Sequence, residues 1–339
     1  LTRVLLIGSG KRVVEAALPV FRRAEGYEVA GIVSRTPKAI VSENTEFQVQ
    51  GLDSLTNERL SEVDLVYMVV AKHAVPGVLR RLEATDRSRF DLLIETPVML
   101  VRHLGHRGLL EGFRETWVSE DCITLPCFDA AHAFFQSGAA GELEGVTFDR
   151  SAYAYHGVAM VKAVLGGSRV HAARQRQLGG GSRERSIRLA EGRTGTIRDP
   201  RDYALGSMTF HGARGDLTDR EAPGAHRIEA IVEDGKCIGF RAGDERRELN
   251  DLERELMGPK SGGAGMTAWM DGMKRVGFLA LADRIRKGAG AYSLSDAVED
   301  SVVDYFLEKL GRYRATPFTR PDAGPARLAF SLLTRIAGR

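Results

Sequence analysis

The chain opens on a short apolar run, Arg3-Val4-Leu5-Leu6-Ile7, that passes through Gly8-Ser9-Gly10 into a segment, Val13 to Arg23, with apolar residues at helical spacing. Nothing else in the sequence restricts the fold as much. A strand that is apolar throughout has to be covered on both faces, and a helix following directly supplies one cover. The rhythm then repeats. Tyr27–Val33 predicts a second strand, Val63–Val70 a third followed by a helix over 75–82, and Phe90–Ile94 a fourth. Fully apolar strands joined by helices predict a doubly wound parallel sheet.

The rhythm changes after about residue 120. Helical spacing over Ala130–Ser137 and His156–Leu165 brackets a strand over Val146–Asp149. From Tyr203 onward the segments LGSMTFHG, HRIEAIVEDG and KCIGFRAG read as antiparallel strands, with Asp234-Gly235 as a hairpin turn. Helices are expected over Thr267–Lys287 and Ser293–Leu310. A linker over Pro321–Pro325 then leads into a short basic helix. The organisation expected is therefore an α/β chain with a doubly wound domain over 1–120, a second α/β domain over 121–320 and a tail helix over 321–339. At 339 residues, two domains with full cores are expected.

Charge and cysteine content narrow the function. With 48 basic and 45 acidic residues the net charge is +3, too balanced for a nucleic-acid partner. The densest basic stretch, Arg169–Arg193, is broken by Gly179-Gly180-Gly181, lacks interleaved aromatics and is expected to be a solvated loop. Cys122, Cys127 and Cys237 have neither disulfide-framework nor zinc-site spacing, and no metal constellation is read from the sequence. No apolar run reaches about 18 residues, so no membrane span is expected. The first residues enter a strand pattern without the features of a signal peptide, and a cytoplasmic location is expected.

Gly8-Ser9-Gly10-Lys11-Arg12-Val13 lies where a glycine turn lets backbone approach a pyrophosphate and a helix start offers its N–H groups. A tight turn alone would also explain the glycines, but the strand before and helix after them favour a dinucleotide site. Val13 stands where the fingerprint has a third small residue. The second strand ends in Ser34-Arg35-Thr36 with Lys38 behind, and no acidic residue is there to accept from a ribose 2′-hydroxyl. Ser34 and Thr36 can hydrogen-bond a 2′-phosphate and Arg35 can pair with it, so NADP(H) is expected over NAD(H). Glu95, with Thr96 and Pro97 after it, and Ala71-Lys72-His73 lie at the carboxyl ends of the fourth and third strands, where ligands of such sheets bind. Asp129 is expected to cap a helix, His132 to be structural, and Trp269 and Met270 to be core.

GSGKRV, IVSRTPKA, VDLVYMVVAKHAVPGVLRRL and LLIETPVML occur in this order in the first half, and SGAAGELEGV and YHGVAMVKAVLG in the second. Together they resemble the glucose-fructose oxidoreductase and inositol dehydrogenase family over roughly residues 3–320. The resemblance implies an N-terminal Rossmann domain and a C-terminal α/β domain with an open, mainly antiparallel sheet. It also implies a substrate site between the domains and a homodimer or homotetramer formed through that sheet.

The catalytic positions depart from the family pattern. Its usual Glu-Lys-Pro is here Glu95-Thr96-Pro97, and Ala152 stands where the family tends to have an aspartate, four residues before His156. His156 remains, flanked by the phenols of Tyr153 and Tyr155, with Tyr153 expected to share its face and Tyr155 to point elsewhere unless the backbone before it is extended. A positioned acid or base contributes about 10²–10⁴-fold, so loss of two such groups weighs against ordinary alcohol–ketone chemistry. Reduction of a protonated imine needs less help, since it leaves a neutral amine. The reading is an NADP(H)-dependent oxidoreductase acting on a small imine or ketone, with His156, Tyr153 and Tyr155 as the chemical groups. The alternative is a catalytically inactive dinucleotide-binding sensor or accessory subunit.

Overall fold

The computed structural model describes residues 1–167, 169–263 and 265–337, with side chains to 332. The chain divides into two compact units. The first holds Leu1–Glu120, Phe278–Val298 and the segment from Pro317; the second holds Asp121–Gly277 and Glu299–Thr316.

The first unit is built on β1 (Thr2–Ile7), β2 (Tyr27–Ser34), β3 (Lys38–Ser42), β4 (Thr45–Gly51), β5 (Leu65–Met68), β6 (Asp91–Glu95) and β7 (Thr116–Ser119). Among the described residues these form one sheet in the order β3-β4-β2-β1-β5-β6-β7. From β4 to β7 every pair is parallel, and only β3 runs against its neighbour. Val4, Leu5, Leu6 and Ile7 of the central strand are fully buried, as a strand covered on both faces requires. The helical segment after Gly10 is π-wound over Val13–Ala17 and α-helical over Leu18–Phe21, where its buried residues cover the sheet. The β3–β4 hairpin was not anticipated. It turns at Glu43 and Asn44, both at positive φ, and its strands mix polar with apolar residues on both faces, Val41 being exposed and Ser42 buried, so no long apolar run announces it.

The second unit carries β8 (Leu143–Asp149), β9 (Val170–Gly179), β10 (Ser182–Leu189), β11 (Thr194–Asp199), β12 (Ser207–Gly212), β13 (Gly215–Thr218), β14 (His226–Glu233), β15 (Lys236–Ala242), β16 (Glu245–Glu248) and β17 (Arg312–Arg314). Among the described residues they form one sheet in the order β16-β15-β14-β13-β12-β8-β11-β10-β9-β17. It is mainly antiparallel, with β8–β11 and β13–β14 the parallel pairs. Asp234 and Gly235, both at positive φ, turn the β14–β15 hairpin as expected.

The basic stretch Arg169–Arg193 is not a loop. It is the β9–β10 hairpin, turned at the triple glycine. Its alternation is hidden because an arginine serves as an inward residue. Arg185 is 1% exposed and meets Asp304 at 2.7 Å, Asp199 at 3.3 Å and the Gln175 side chain at 3.0 Å, with Glu308 closing the cluster. A buried guanidinium with such partners satisfies its charge, whereas hydropathy alone scores the strand as solvated.

The helix expected near Ala130 runs from Pro126 to Gln136, so Asp129 lies inside it rather than capping it, and pairs with Arg247 at 3.5 Å. His132 bonds the carbonyl of Val164 at 2.9 Å, and Trp269 and Met270 are core. The C-terminal helix runs over Gly324–Ala337 in the first unit; residues 338–339 of the expected tail lie outside the described residues. Among the described residues no helix is long and apolar enough to cross a membrane.

Candidate functional site

In the first unit a cavity of about 680 Å³ opens where β1, β2 and β5 end. Ile7, Gly8, Ser9 and Gly10 form one wall, and Ser34, Arg35, Thr36 and Lys38 a second. Val69, Val70, Ala71, His73, Ala74, Gly77, Val78 and Arg81 form a third. The two glycines of the turn do different work. Gly8 has φ +138°, and a Cβ there would sit 2.0 Å from the carbonyl oxygen of Val69, so the sheet itself demands glycine. A Cβ on Gly10 would meet no protein atom within 4 Å, which leaves open space beside the backbone at the start of the helical segment. That is the close approach a pyrophosphate needs.

No Asp or Glu lines this cavity, while Arg35, Lys38 and Arg81 do. Ser34 Oγ donates to the carbonyl of Thr36 at 2.8 Å and so shapes the tip of β2. Arg81, on the helix Val75–Glu83, had not been singled out from sequence; its position on the face of that helix toward the cavity was the signal.

The remaining residues expected at this site divide. Lys11 is exposed and pairs with Glu15 at 3.5 Å. Arg12 turns to Glu95, Nε to Oε2 at 3.3 Å, and its guanidinium lies 5.0 Å from the centroid of Phe278. Tyr67, fully buried, donates to the same Glu95 oxygen and lies 3.1 Å from Ser119 Oγ. Burial and the nearby Glu95 charge hold the Tyr67 pKa well above that of a free phenol. The Glu95 carboxylate is thus already engaged by Arg12 and Tyr67. Thr96 is buried, and its hydroxyl donates to the carbonyl of Ser119 at 3.3 Å. Lys72 reaches across from the end of β5 and donates to the carbonyl of Glu95 at 2.7 Å. Burial pushes its pKa down to about 8, against the attraction of Glu95. A lysine side chain therefore stands one residue from Thr96, although Thr96 occupies the motif's own lysine position.

The second unit gathers its polar side chains at one edge of its sheet. β8 and β11 are parallel, with Asp149 opposite Arg198, so the loops leaving them emerge at the same end. The loop after β8 carries Tyr153, which is extended (φ −158°, ψ 154°) and precedes the helix Ala154–Leu165. His156, on the first turn of that helix, is buried. Its ring lies 5.0 Å from that of Tyr153 and 4.3 Å from that of Tyr155. Tyr153 precedes the helix in extended backbone and Tyr155 lies within it, and both phenols pack on the one imidazole. Ala152 is buried where the resemblance leads one to expect an aspartate. Cys122 Sγ lies within 4.8 Å of a ring nitrogen of His156.

The loop after β11 adds groups that sequence reasoning missed. The Arg201 guanidinium lies 4.3 Å from the Tyr153 ring centroid and 5.1 Å from that of Tyr203. Lys274, on the helix Met270–Arg286, donates to Tyr203 Oη at 2.9 Å. Thr267 Oγ1, donating to the carbonyls of Tyr203 at 2.8 Å and Gly206 at 3.0 Å, ties this loop to the start of the helical segment bearing Lys274. Nearly fifty residues separate Tyr153 from Arg201 and over seventy separate Tyr203 from Lys274, so no local motif could link them.

No protein-family model matches the chain, and no curated protein matches it. Solved structures do. The scyllo-inositol dehydrogenase of Lactobacillus casei, with bound NAD(H) and scyllo-inositol, aligns over 92% of this chain and 98% of its own, with a TM-score of 0.61 and 9% identity. The myo-inositol dehydrogenase of Corynebacterium glutamicum aligns over 94% and 100%, with a TM-score of 0.58 and 14% identity. This chain has the fold of the inositol dehydrogenases. A Thermotoga maritima oxidoreductase shares the same inositol dehydrogenase fold, aligning over 92% and 98% with a TM-score of 0.57 and 14% identity. At such identities the fold persists while the side chains that carry chemistry are free to differ, and a fold hosts many functions.

Proposed function

We propose that this protein is an NADP(H)-dependent oxidoreductase that reduces a small imine or ketone. The observation that carries the reading is the cavity at Gly8–Gly10, lined by Arg35, Lys38 and Arg81 and by no carboxylate. Gly10 leaves room for a pyrophosphate, and the three cations suit a 2′-phosphate where an acidic residue would suit a ribose hydroxyl. The L. casei structure with the same fold holds NAD(H). The residues present thus fit a nicotinamide dinucleotide, and the cations at the tip of β2 favour one that carries a 2′-phosphate.

Bound in that cavity, the dinucleotide supplies the hydride. The chain's own residues orient the substrate and move the proton. His156 can donate and accept a proton, and Tyr153 and Tyr155 against it can donate hydrogen bonds to a carbonyl oxygen or imine nitrogen. Lys72 places an amine beside the Glu95–Pro97 segment, which weakens the reading of a chemically retired sensor drawn from Thr96 and Ala152. The mainly antiparallel sheet of the second unit supports assembly as a homodimer or homotetramer through its open face. Three buried cysteines without disulfides suit a cytoplasmic setting.

Fluorescence titration with NADPH and NADH, followed by NADPH consumption with a panel of imines and ketones, tests the reading. Tighter NADPH binding and oxidation with at least one substrate are expected. Binding of NADPH with no turnover across the panel would favour the sensor.

A further inference from the structure

The end of the second unit's sheet where β8 and β11 leave it carries two cations, Arg201 and Lys274. Arg201 is exposed and its guanidinium lies over the rings of Tyr153 and Tyr203. Lys274 lies 5.3 Å from the centroid of the same Tyr203 ring, bonded to its hydroxyl. Among the described residues no carboxylate lies within 4 Å of either cation. Asp202, next in sequence to Arg201, is occupied elsewhere, its Oδ1 accepting from the backbone N–H groups of Ala204 and Leu205 at 3.0 and 3.3 Å. Asp121 acts on Lys274 only at longer range. Burial disfavours the lysine's charge, yet Cys122, Tyr203 and Asp121 together hold its pKa well above the ordinary value.

Arg201 and Lys274 both lie against the ring of Tyr203 without a carboxylate at ion-pair distance, and cations so placed beside a polar site can meet an anionic ligand. The guanidinium, braced by the rings of Tyr153 and Tyr203, is a planar fork of donors of the kind that pairs bidentately with a carboxylate. Tyr203 Oη accepts from Lys274, which leaves its own hydrogen to donate onward. The Tyr153 ring that braces Arg201 also packs against His156, so this group of donors adjoins the residues assigned to the chemistry.

We propose that Arg201 and Lys274, braced by Tyr153 and Tyr203, form a carboxylate subsite, and that the substrate is therefore an oxo acid or imino acid anion rather than a neutral sugar or polyol. This rests on the oxidoreductase reading for the word substrate but not for the binding itself.

The test is calorimetric titration of the full chain with oxamate, a carboxylate with no reducible carbonyl, against acetamide as the uncharged control. Saturable oxamate binding without acetamide binding is expected. Arg201→Gln and Lys274→Met should each weaken it about tenfold or more, as loss of a charged hydrogen bond does. Arg201→Lys should fall between, since it keeps the charge and loses the fork, and Lys274→Arg guards against a fold lost in the Met variant. NADPH affinity should stay within about twofold in all of them. Oxamate binding that is absent, or equal in wild type and Arg201→Gln, overturns the subsite. Oxamate binding that follows these variants, with no oxo or imino acid ever reduced, leaves the subsite standing and sinks the oxidoreductase reading. Reduction of neutral ketones that is unaffected by Arg201→Gln does the reverse.

Discussion

Lys72 Nζ donates to the backbone carbonyl of Glu95 at 2.7 Å, joining the carboxyl ends of β5 and β6. The contact brings an amine to the strand end where the resemblance would place a lysine within Glu95-Thr96-Pro97. It also buries that amine enough to bring its pKa down to about 8 from 10.5. Below the folded value, Lys72 is charged in both the folded and unfolded states. Between about 8 and 10.5 the folded protein binds fewer protons than the unfolded chain, so stability contributed by this group rises with pH across that window. Urea unfolding of wild type and Lys72→Met, at neutral pH and near pH ~10, should show the difference shifting toward wild type at the higher pH. A difference that does not move with pH would mean that Lys72 titrates normally.

The two glycines of the first turn should fail in different ways. Gly8→Ala forces a Cβ to within 2.0 Å of the Val69 carbonyl at a backbone angle that favours glycine, and should cost about 2 kcal/mol or more of stability. Gly10→Ala meets no protein atom, so its melting temperature without ligand should stay close to wild type. Its stabilisation by NADPH should fall sharply, because the added methyl occupies the space a pyrophosphate needs. Thermal unfolding with and without NADPH reads both. Equal stabilisation of Gly10→Ala and wild type would count against a dinucleotide in this cavity.

Cofactor choice should follow the cations of the cavity. Arg35→Ala should weaken NADPH about tenfold or more and NADH far less, because only the former carries the 2′-phosphate. Arg81→Ala should act in the same direction. Fluorescence titration decides it, and an equal loss for both cofactors would show that Arg35 serves the adenine alone.

His156→Ala should lower turnover by about 10²-fold or more with NADPH affinity nearly unchanged. Thr96→Ala should do little to turnover, since its hydroxyl is spent on the Ser119 carbonyl. Steady-state kinetics on any substrate found would check the pair, and the opposite ranking would return the chemical centre to the Thr96 position.

The cavity of the first unit was legible because its parts are local. A strand, a glycine turn and a helix are contiguous, and the tips of β2 and β5 follow apolar runs that announce themselves. The β9–β10 hairpin was misread because a buried arginine breaks the hydrophobic code. Arg185 is inward only because Asp199, Asp304 and Glu308 come to meet it from other parts of the chain.

The sequence by itself determined the strand–turn–helix opening and the absence of an acid at the tip of β2, since these depend on periodicity and side-chain type within short windows. Only the tertiary structure decided that Lys72 stands beside Glu95, that Tyr155 packs on His156, and that Arg201, Tyr203 and Lys274 meet at one sheet edge. The parallel pairing of β8 with β11 places two distant loops at the same end of the sheet, and strand pairing over such separations leaves no periodic trace in the chain.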